Sequence, residues 1–229
     1  MSPGEALVRC GGVSRDFGIG HTVVHAVREA TCQILPGSRI ALVGSSGSGK
    51  STLLHLLAGL DQPTTGTITW PALEGAPLRP GPIAVVFQAP SLLPPLDVIE
   101  NVALPLVLQG VDDAKARTAA RIALDRLGLT DLVAKLPEEL SGGQAQRVAV
   151  ARALVATPAL ILADEPTGQL DSETATEVTD ALLESARSVG AALVIATHDT
   201  AVAGHLDQHW MMTDGRLLVP EPAGDQCSA

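Results

Sequence analysis

Gly44-Ser45-Ser46-Gly47-Ser48-Gly49-Lys50-Ser51 follows the apolar run Arg39-Ile40-Ala41-Leu42-Val43 and leads into Thr52–Leu60, a run with helical periodicity. A glycine-rich turn between a buried strand and a helix, ending in Lys-Ser, is the pattern of a phosphate-binding loop. The glycines let successive backbone N–H groups converge on one anion, and the helix N-terminus adds partial positive charge. Gly44, Ser45, Ser46, Gly47, Ser48, Gly49, Lys50, Ser51 and Thr52 are therefore expected to hold a nucleotide. Lys50 is expected to reach the β- and γ-phosphates, and the Ser51 hydroxyl to ligate Mg²⁺.

Further apolar runs occur at Ile83–Phe87, Leu160–Ala163 and Leu193–Thr197. Continuous runs of this kind suit strands buried on both faces of a parallel sheet. Helical patterns lie between them: Val178, Ala181, Leu182, Ser185 and Val189 after an N-cap at Asp171, and Ala116, Ala120, Ala123 and Leu127. The alternation reads as α/β. Two regions interrupt it. Residues Ala6–Leu35 and Gly66–Trp70 read as short antiparallel strands, and residues from Val98 to Pro158 contain no strand pattern, which predicts an antiparallel β-subdomain and an inserted helical subdomain near 90–158. One domain is expected over 1–219, with 220–229 a flexible tail.

Composition narrows the function. The 229 residues are 46% hydrophobic and 17% charged, which excludes disorder. Two Phe, two Trp and no Tyr leave the core to aliphatic side chains. A net charge of −10 argues against nucleic acid as a partner. Cys10, Cys32 and Cys227 are odd in number and widely spaced, which predicts incidental thiols rather than a disulfide framework or zinc site. Met1–Arg9 carries no signal-peptide pattern, and no apolar run reaches the roughly 18 residues of a membrane span. A soluble protein is expected.

Two more motifs carry chemistry. Ala159–Ala163 is an apolar strand followed by Asp164-Glu165, which puts two carboxylates at the carboxyl edge of the sheet beside the phosphate loop. Asp164 is expected to hold Mg²⁺, and Glu165 to orient or deprotonate the attacking water. Leu140-Ser141-Gly142-Gly143-Gln144 precedes a helix expected over Ala145–Ala156, with Arg147 a turn further on.

In this order, the three motifs resemble the ATP-binding cassette (ABC) family, whose signature is LSGGQ, over nearly the whole chain from Ala6 to Val219. The resemblance implies ATP and Mg²⁺ as cofactors. It implies that Gln88 senses Mg²⁺ and the γ-phosphate, that His198 contacts the γ-phosphate, and that Asp171 communicates across a dimer. It also implies that Phe17 stacks on adenine. Taken alone, Gln88 and His198 are ordinary strand-end polar residues, and Phe17 fits core or ligand equally. Ser141, Gly142, Gly143 and Gln144 are implied to cap ATP bound to the other subunit of a head-to-tail homodimer.

Gly59–Gly66, Leu92-Leu93-Pro94 with Glu100-Asn101-Val102, and Ala163–Gly168 look like the lipoprotein-releasing, macrolide-exporting and cell-division subgroup. Gln169 and a short segment between Gly66 and Gln88 depart from it. The resemblance implies a transmembrane permease partner, which would hold the chain at the inner face of the cell membrane. Leu92, Leu93, Leu96 and Val98 fit either a docking groove for that partner or ordinary packing. An ATP-driven mechanotransmitter that moves no solute is the other reading, and a P-loop kinase or GTPase has no use for LSGGQ.

Overall fold

The computed structural model describes residues 5–18, 20–73 and 77–220. In chain order the elements are β1 (Val8–Phe17), β2 (Val24–Ile34), β3 (Arg39–Val43), α1 (Lys50–Leu57), β4 (Thr65–Thr69) and β5 (Ile83–Val86). Then come α2 (Val98–Leu108), α3 (Asp113–Arg126), α4 (Gly142–Leu154), β6 (Leu160–Asp164), α5 (Ser172–Ser188), β7 (Ala192–Thr197), α6 (Thr200–Ala203), β8 (Gln208–Thr213) and β9 (Arg216–Leu218).

The strands run in the order β4-β1-β2-β9-β8-β3-β7-β6-β5. β5, β6, β7, β3 and β8 are parallel, whereas β1 pairs antiparallel with both β2 and β4. This is the expected α/β architecture with its antiparallel β-ribbon. Between β5 and β6 lie only helices and short turns, as the sequence between Val98 and Pro158 predicts.

The central strands show why their sequences carry no polar face. Ile40 and Leu42 of β3, Leu160 and Leu162 of β6, and Ala192, Val194 and Ala196 of β7 pack with α1 and the β-ribbon on one side. The alternate residues Ala41, Ile161, Ala163, Leu193 and Ile195 pack against the helices on the other. Period-2 alternation between two apolar layers yields an unbroken apolar strand. The helices bury aliphatic faces: Ala116, Ala120 and Leu124 of α3, which packs on α2 and α4, and Val178, Leu182 and Ala186 of α5 are fully buried. Each Val or Leu buried this way contributes roughly 1.5–3 kcal/mol.

Three expectations shift. The helix following the signature begins at Gly142, not Ala145, because Ser141 is its N-cap. The helix after the phosphate loop spans Lys50–Leu57 rather than Thr52–Leu60. Cys10 and Cys32, widely spaced in sequence, are directly opposite one another on β1 and β2. Cys227 and the tail beyond Pro220 lie outside the described residues. No helix among the described residues is long and apolar enough to cross a membrane.

Candidate nucleotide site

The phosphate loop joins β3 to α1 at the carboxyl edge of the parallel strands. Gly49 caps α1 with φ 104°, a left-handed conformation suited to glycine. A Cβ there would also collide with the Ala26 carbonyl oxygen of β2, so the loop is pressed against the β-ribbon. A cleft of about 820 Å³ opens before the loop. Ser46, Gly47, Gly49, Lys50, Ser51, Thr52, Gln88 and Glu165 line it, together with Val24, His25, Ala26 and Arg28 of β2 and Asp214 and Gly215 of the β8–β9 turn. The sequence reading had found none of the β2 or β8–β9 residues. They are contributed by distant strands and carry no motif.

Lys50 is buried, with Nζ donating to the carbonyl oxygens of Gly44 at 2.8 Å and Ser45 at 3.0 Å. Its ammonium also lies 3.2 Å from Glu165 Oε1. The Ser51 hydroxyl donates to Asp164 Oδ1 at 3.0 Å, although the two residues are far apart in sequence. Burial pushes the Asp164 carboxyl above the usual range, and the Ser51 hydrogen bond only partly offsets this. A hydroxyl and a partly desolvated carboxylate at one point form a hard oxygen donor set suited to a divalent cation. Ser48 Oγ, buried in the loop, has no hydrogen-bond partner among the described residues.

Glu165 has φ 42°, uncommon for a non-glycine residue. Its amide donates to the Ala196 carbonyl at 2.9 Å, and its carbonyl accepts from the Gly168 amide at 3.0 Å, so the backbone is fixed from both sides. Strain retained in this way clusters at functional sites. The carboxylate bridges Lys50 and, at 3.2 Å from Oε2, His198 Nδ1. Gln88 approaches from the end of β5: its Nε2 and Glu165 Oε2 both lie beside Gly168.

The structure therefore brings Lys50, Ser51, Asp164, Glu165, Gln88 and His198 together. Phe17 ends β1 outside the cleft lining, 42% exposed, with the Arg15 guanidinium carbon 4.5 Å from its ring centroid. Ser141, Gly142, Gly143 and Gln144 do not line the cleft either. They form the first turn of α4 with a capping box: the Gln144 amide donates to Ser141 Oγ at 3.3 Å, and the Ser141 amide donates to Gln144 Oε1 at 3.0 Å. Asp171 caps α5, accepting from the Thr174 amide at 3.0 Å and its hydroxyl at 2.8 Å. These two bonds hold the Asp171 carboxyl below its usual range. The two helix starts touch, since a Cβ on Gly143 would collide with Thr174 Cγ2.

Sequence reading missed the supports of the segment after Gln88. Buried Gln146 of α4 donates from Nε2 to the Phe87 carbonyl at 3.0 Å. Arg152, also of α4, donates to the carbonyls of Pro90 at 2.9 Å and Ser91 at 2.7 Å. Buried Asn101 of α2 donates to the carbonyls of Leu93, Leu96 and Asp97 and accepts from the Leu93 amide. Polar residues on otherwise apolar helix faces were the available signal. The open choice for Leu92, Leu93, Leu96 and Val98 is now divided: Val98 is fully buried and Leu92 packs on the core, while Leu93 stays 42% exposed.

A parallel α/β sheet with a phosphate loop, an acidic strand end and a separate capped signature defines a P-loop ATPase. The ABC transporter family model matches residues 27–168. The chain belongs to this family, as an ATP-binding, ATP-hydrolysing subunit. It is 38% identical to the lipoprotein-releasing system ATP-binding protein LolD of Shewanella oneidensis, covering 96% of this chain and 99% of that protein. To LolD of Legionella pneumophila it is 43% identical, covering 88% and 92%. Among solved structures, the dimeric ATP-binding cassette MJ0796 in a post-hydrolysis state with ADP and Pi matches with a TM-score of 0.82 and 33% identity. That match covers 94% of this chain and 99% of the cassette.

Proposed function

We propose that the cleft hydrolyses ATP between two copies of this chain to drive a transmembrane permease in export or lipoprotein-type release. The observation that carries this reading is the convergence of Lys50, Ser51, Gln88 and Glu165 on one cleft, with Asp164 bonded to Ser51 and His198 to Glu165, while the signature turn lies outside it. Lys50, with the loop amides, binds the β- and γ-phosphates, and Phe17 stacks on the adenine. Ser51, Asp164 and Gln88 hold Mg²⁺, which when bound supplies charge neutralisation at the phosphates. Glu165 accepts the proton of the attacking water, and His198 orients both that carboxylate and the γ-phosphate.

Ser141, Gly142, Gly143 and Gln144 form a second anion-binding helix start and cap the ATP of the partner subunit. Asp171, anchored beside them, reads the same interface. Residues 1–219 act as one ATP-binding unit with its helical part near 90–158, peripheral on the inner membrane face through the permease. The names of the LolD relatives support the release reading.

The test is light scattering of Glu165→Gln with saturating Mg-ATP. A dimer is expected, with a monomer in ADP, and ATPase turnover lowered ~10²–10⁴-fold. Adding Ser141→Arg should abolish the dimer while nucleotide binding persists. A Glu165→Gln protein saturated with ATP yet monomeric would refute the composite site.

A further inference from the structure

An open groove of about 960 Å³ lies away from the nucleotide cleft, between the β1–β2–β4 ribbon and β8. Cys10 and Cys32 both line it, together with Arg9, Thr31, Gln33 and Trp210. The β1–β2 ladder pairs Arg9 with Gln33 and then Cys10 with Cys32. Directly opposed residues on antiparallel strands point to the same face, with Cα atoms about 4.5–5.5 Å apart. That separation falls inside the roughly 4.4–6.8 Å spanned by disulfides. Immediately beyond the pair the register breaks, before Val13 pairs with Ala30. A bulge of this kind gives the backbone local freedom to adjust the side-chain geometry.

We propose that Cys10 and Cys32 form an oxidisable dithiol, a modification site at which a low-molecular-weight disulfide of the glutathione type closes a cross-strand bond. The thiols are free in this structure and largely buried, yet they border an open groove of about 960 Å³. Interaction with the neighbouring Cys10 thiol, and then burial, hold the Cys32 thiol well above its usual range. In the proposed sequence Cys10 attacks first.

In the first step the Cys10 thiolate attacks one sulfur of the small disulfide, forming a mixed disulfide and expelling one thiolate, which takes up a proton. Cys32 then loses its proton and attacks the Cys10 sulfur, forming the Cys10–Cys32 bond and releasing the second small thiol. The protein gives up two electrons and two protons, and the small disulfide takes them to become two thiols. The bond fastens the base of the ribbon whose β2 residues wall the nucleotide cleft.

The experiment uses the full chain carrying Cys227→Ser, reduced and then equilibrated in mixtures of reduced and oxidised glutathione. Free thiols are alkylated, and the protein is digested and read by mass spectrometry. The expected result is a linked Cys10–Cys32 peptide that rises with the oxidised fraction and disappears on reduction. Melting of the oxidised protein is expected several degrees above that of the reduced form. Cys10→Ser and Cys32→Ala variants should each stop at a glutathione adduct or stay unmodified, with no such rise in melting. Two fully alkylated cysteines after prolonged exposure of the folded protein to oxidised glutathione alone would overturn the proposal. So would a stable glutathione adduct on the protein in which neither Cys10 nor Cys32 is substituted.

Discussion

Replacing Gly143 with alanine puts a Cβ into the place of Thr174 Cγ2, where the start of α4 meets the first turn of α5. Thr174 cannot simply rotate away. Its hydroxyl donates to Asp171 Oδ2 at 2.8 Å as part of the α5 cap. Forcing a methyl into such a contact costs about 1–3 kcal/mol, and breaking the hydroxyl bond instead costs about 0.5–1.5 kcal/mol. Alanine returns up to ~1 kcal/mol of helix propensity, less in a first turn. The net expectation is a loss of about 1–2 kcal/mol. For a chain of this size that is a fall of roughly 2–8 °C in Tm.

The discriminating background is Thr174→Ser, which removes Cγ2 and keeps the capping hydroxyl. There, Gly143→Ala should be neutral within ~0.5 kcal/mol, giving a coupling of about 1 kcal/mol or more in a double-mutant cycle. Urea unfolding of the four proteins measures it. Strict additivity would refute the contact and, with it, the claim that the signature turn and Asp171 are locked together by packing.

Lys50→Ala is expected to abolish measurable Mg-ATP binding in isothermal titration, because the cleft loses the loop cation that Gly44 and Ser45 carbonyls aim; unchanged affinity would place the phosphates elsewhere. Leu93→Asp should leave the ATPase of the isolated chain intact and uncouple it from the membrane partner, since Leu93 is exposed while Leu92 and Val98 pack inward; loss of basal activity would assign it to folding. Arg117→Met tests pH linkage. Arg117, then the Asp97 amide, hold the Glu100 carboxyl below its usual range, so this stabilisation is present above the unfolded pKa and is lost as pH falls through the folded one. The variant should show a small fall in Tm at neutral pH that closes in acid, and a gap independent of pH would remove the ion pair as its cause.

The strands and phosphate loop were legible because their chemistry is local. Arg39–Val43 matches its strand residue for residue, since an apolar run between two helix-covered faces admits few other readings. Lys50, Asp164 and Glu165 were found for the same reason: Asp164 and Glu165 stand at the carboxyl end of β6, Lys50 opens the helix after the loop that leaves β3, and strand ends in a parallel sheet converge. The cleft wall at Val24–Arg28 and Asp214–Gly215 was not legible. It depends on how the β-ribbon folds over the loop, a contact made through the Ala26 carbonyl, and backbone carries no sequence signal. The opposition of Cys10 and Cys32 was hidden likewise, because it is a matter of strand register. A shift by one residue would have sent the pair apart.

The segment after Gln88 shows what the polar residues missed by motif reading accomplish. Between Phe87 and Asp97 the chain belongs to no helix or strand, and side chains satisfy carbonyls there alongside the backbone bonds from the Leu96 amide to Leu93 and from the Asn101 amide to Asp97. Asn101 of α2 takes those of Leu93, Leu96 and Asp97, and Gln146 and Arg152 of α4 take those of Phe87, Pro90 and Ser91. The loop is thus tied to the helices rather than to the sheet, even though Gln88 reaches the cleft beside Glu165. The same α4 begins at Gly142 behind its N-cap Ser141, so its N-terminal turn and its hold on Phe87 belong to one helix. The helix that carries the signature turn thus holds Phe87, Pro90 and Ser91, while α2 holds Leu93, on either side of the same loop. Exposed Leu93, buried Gln146 and cleft-lining Gln88 all bear on this one anchored loop, which is why Leu93→Asp is the variant that separates coupling from catalysis.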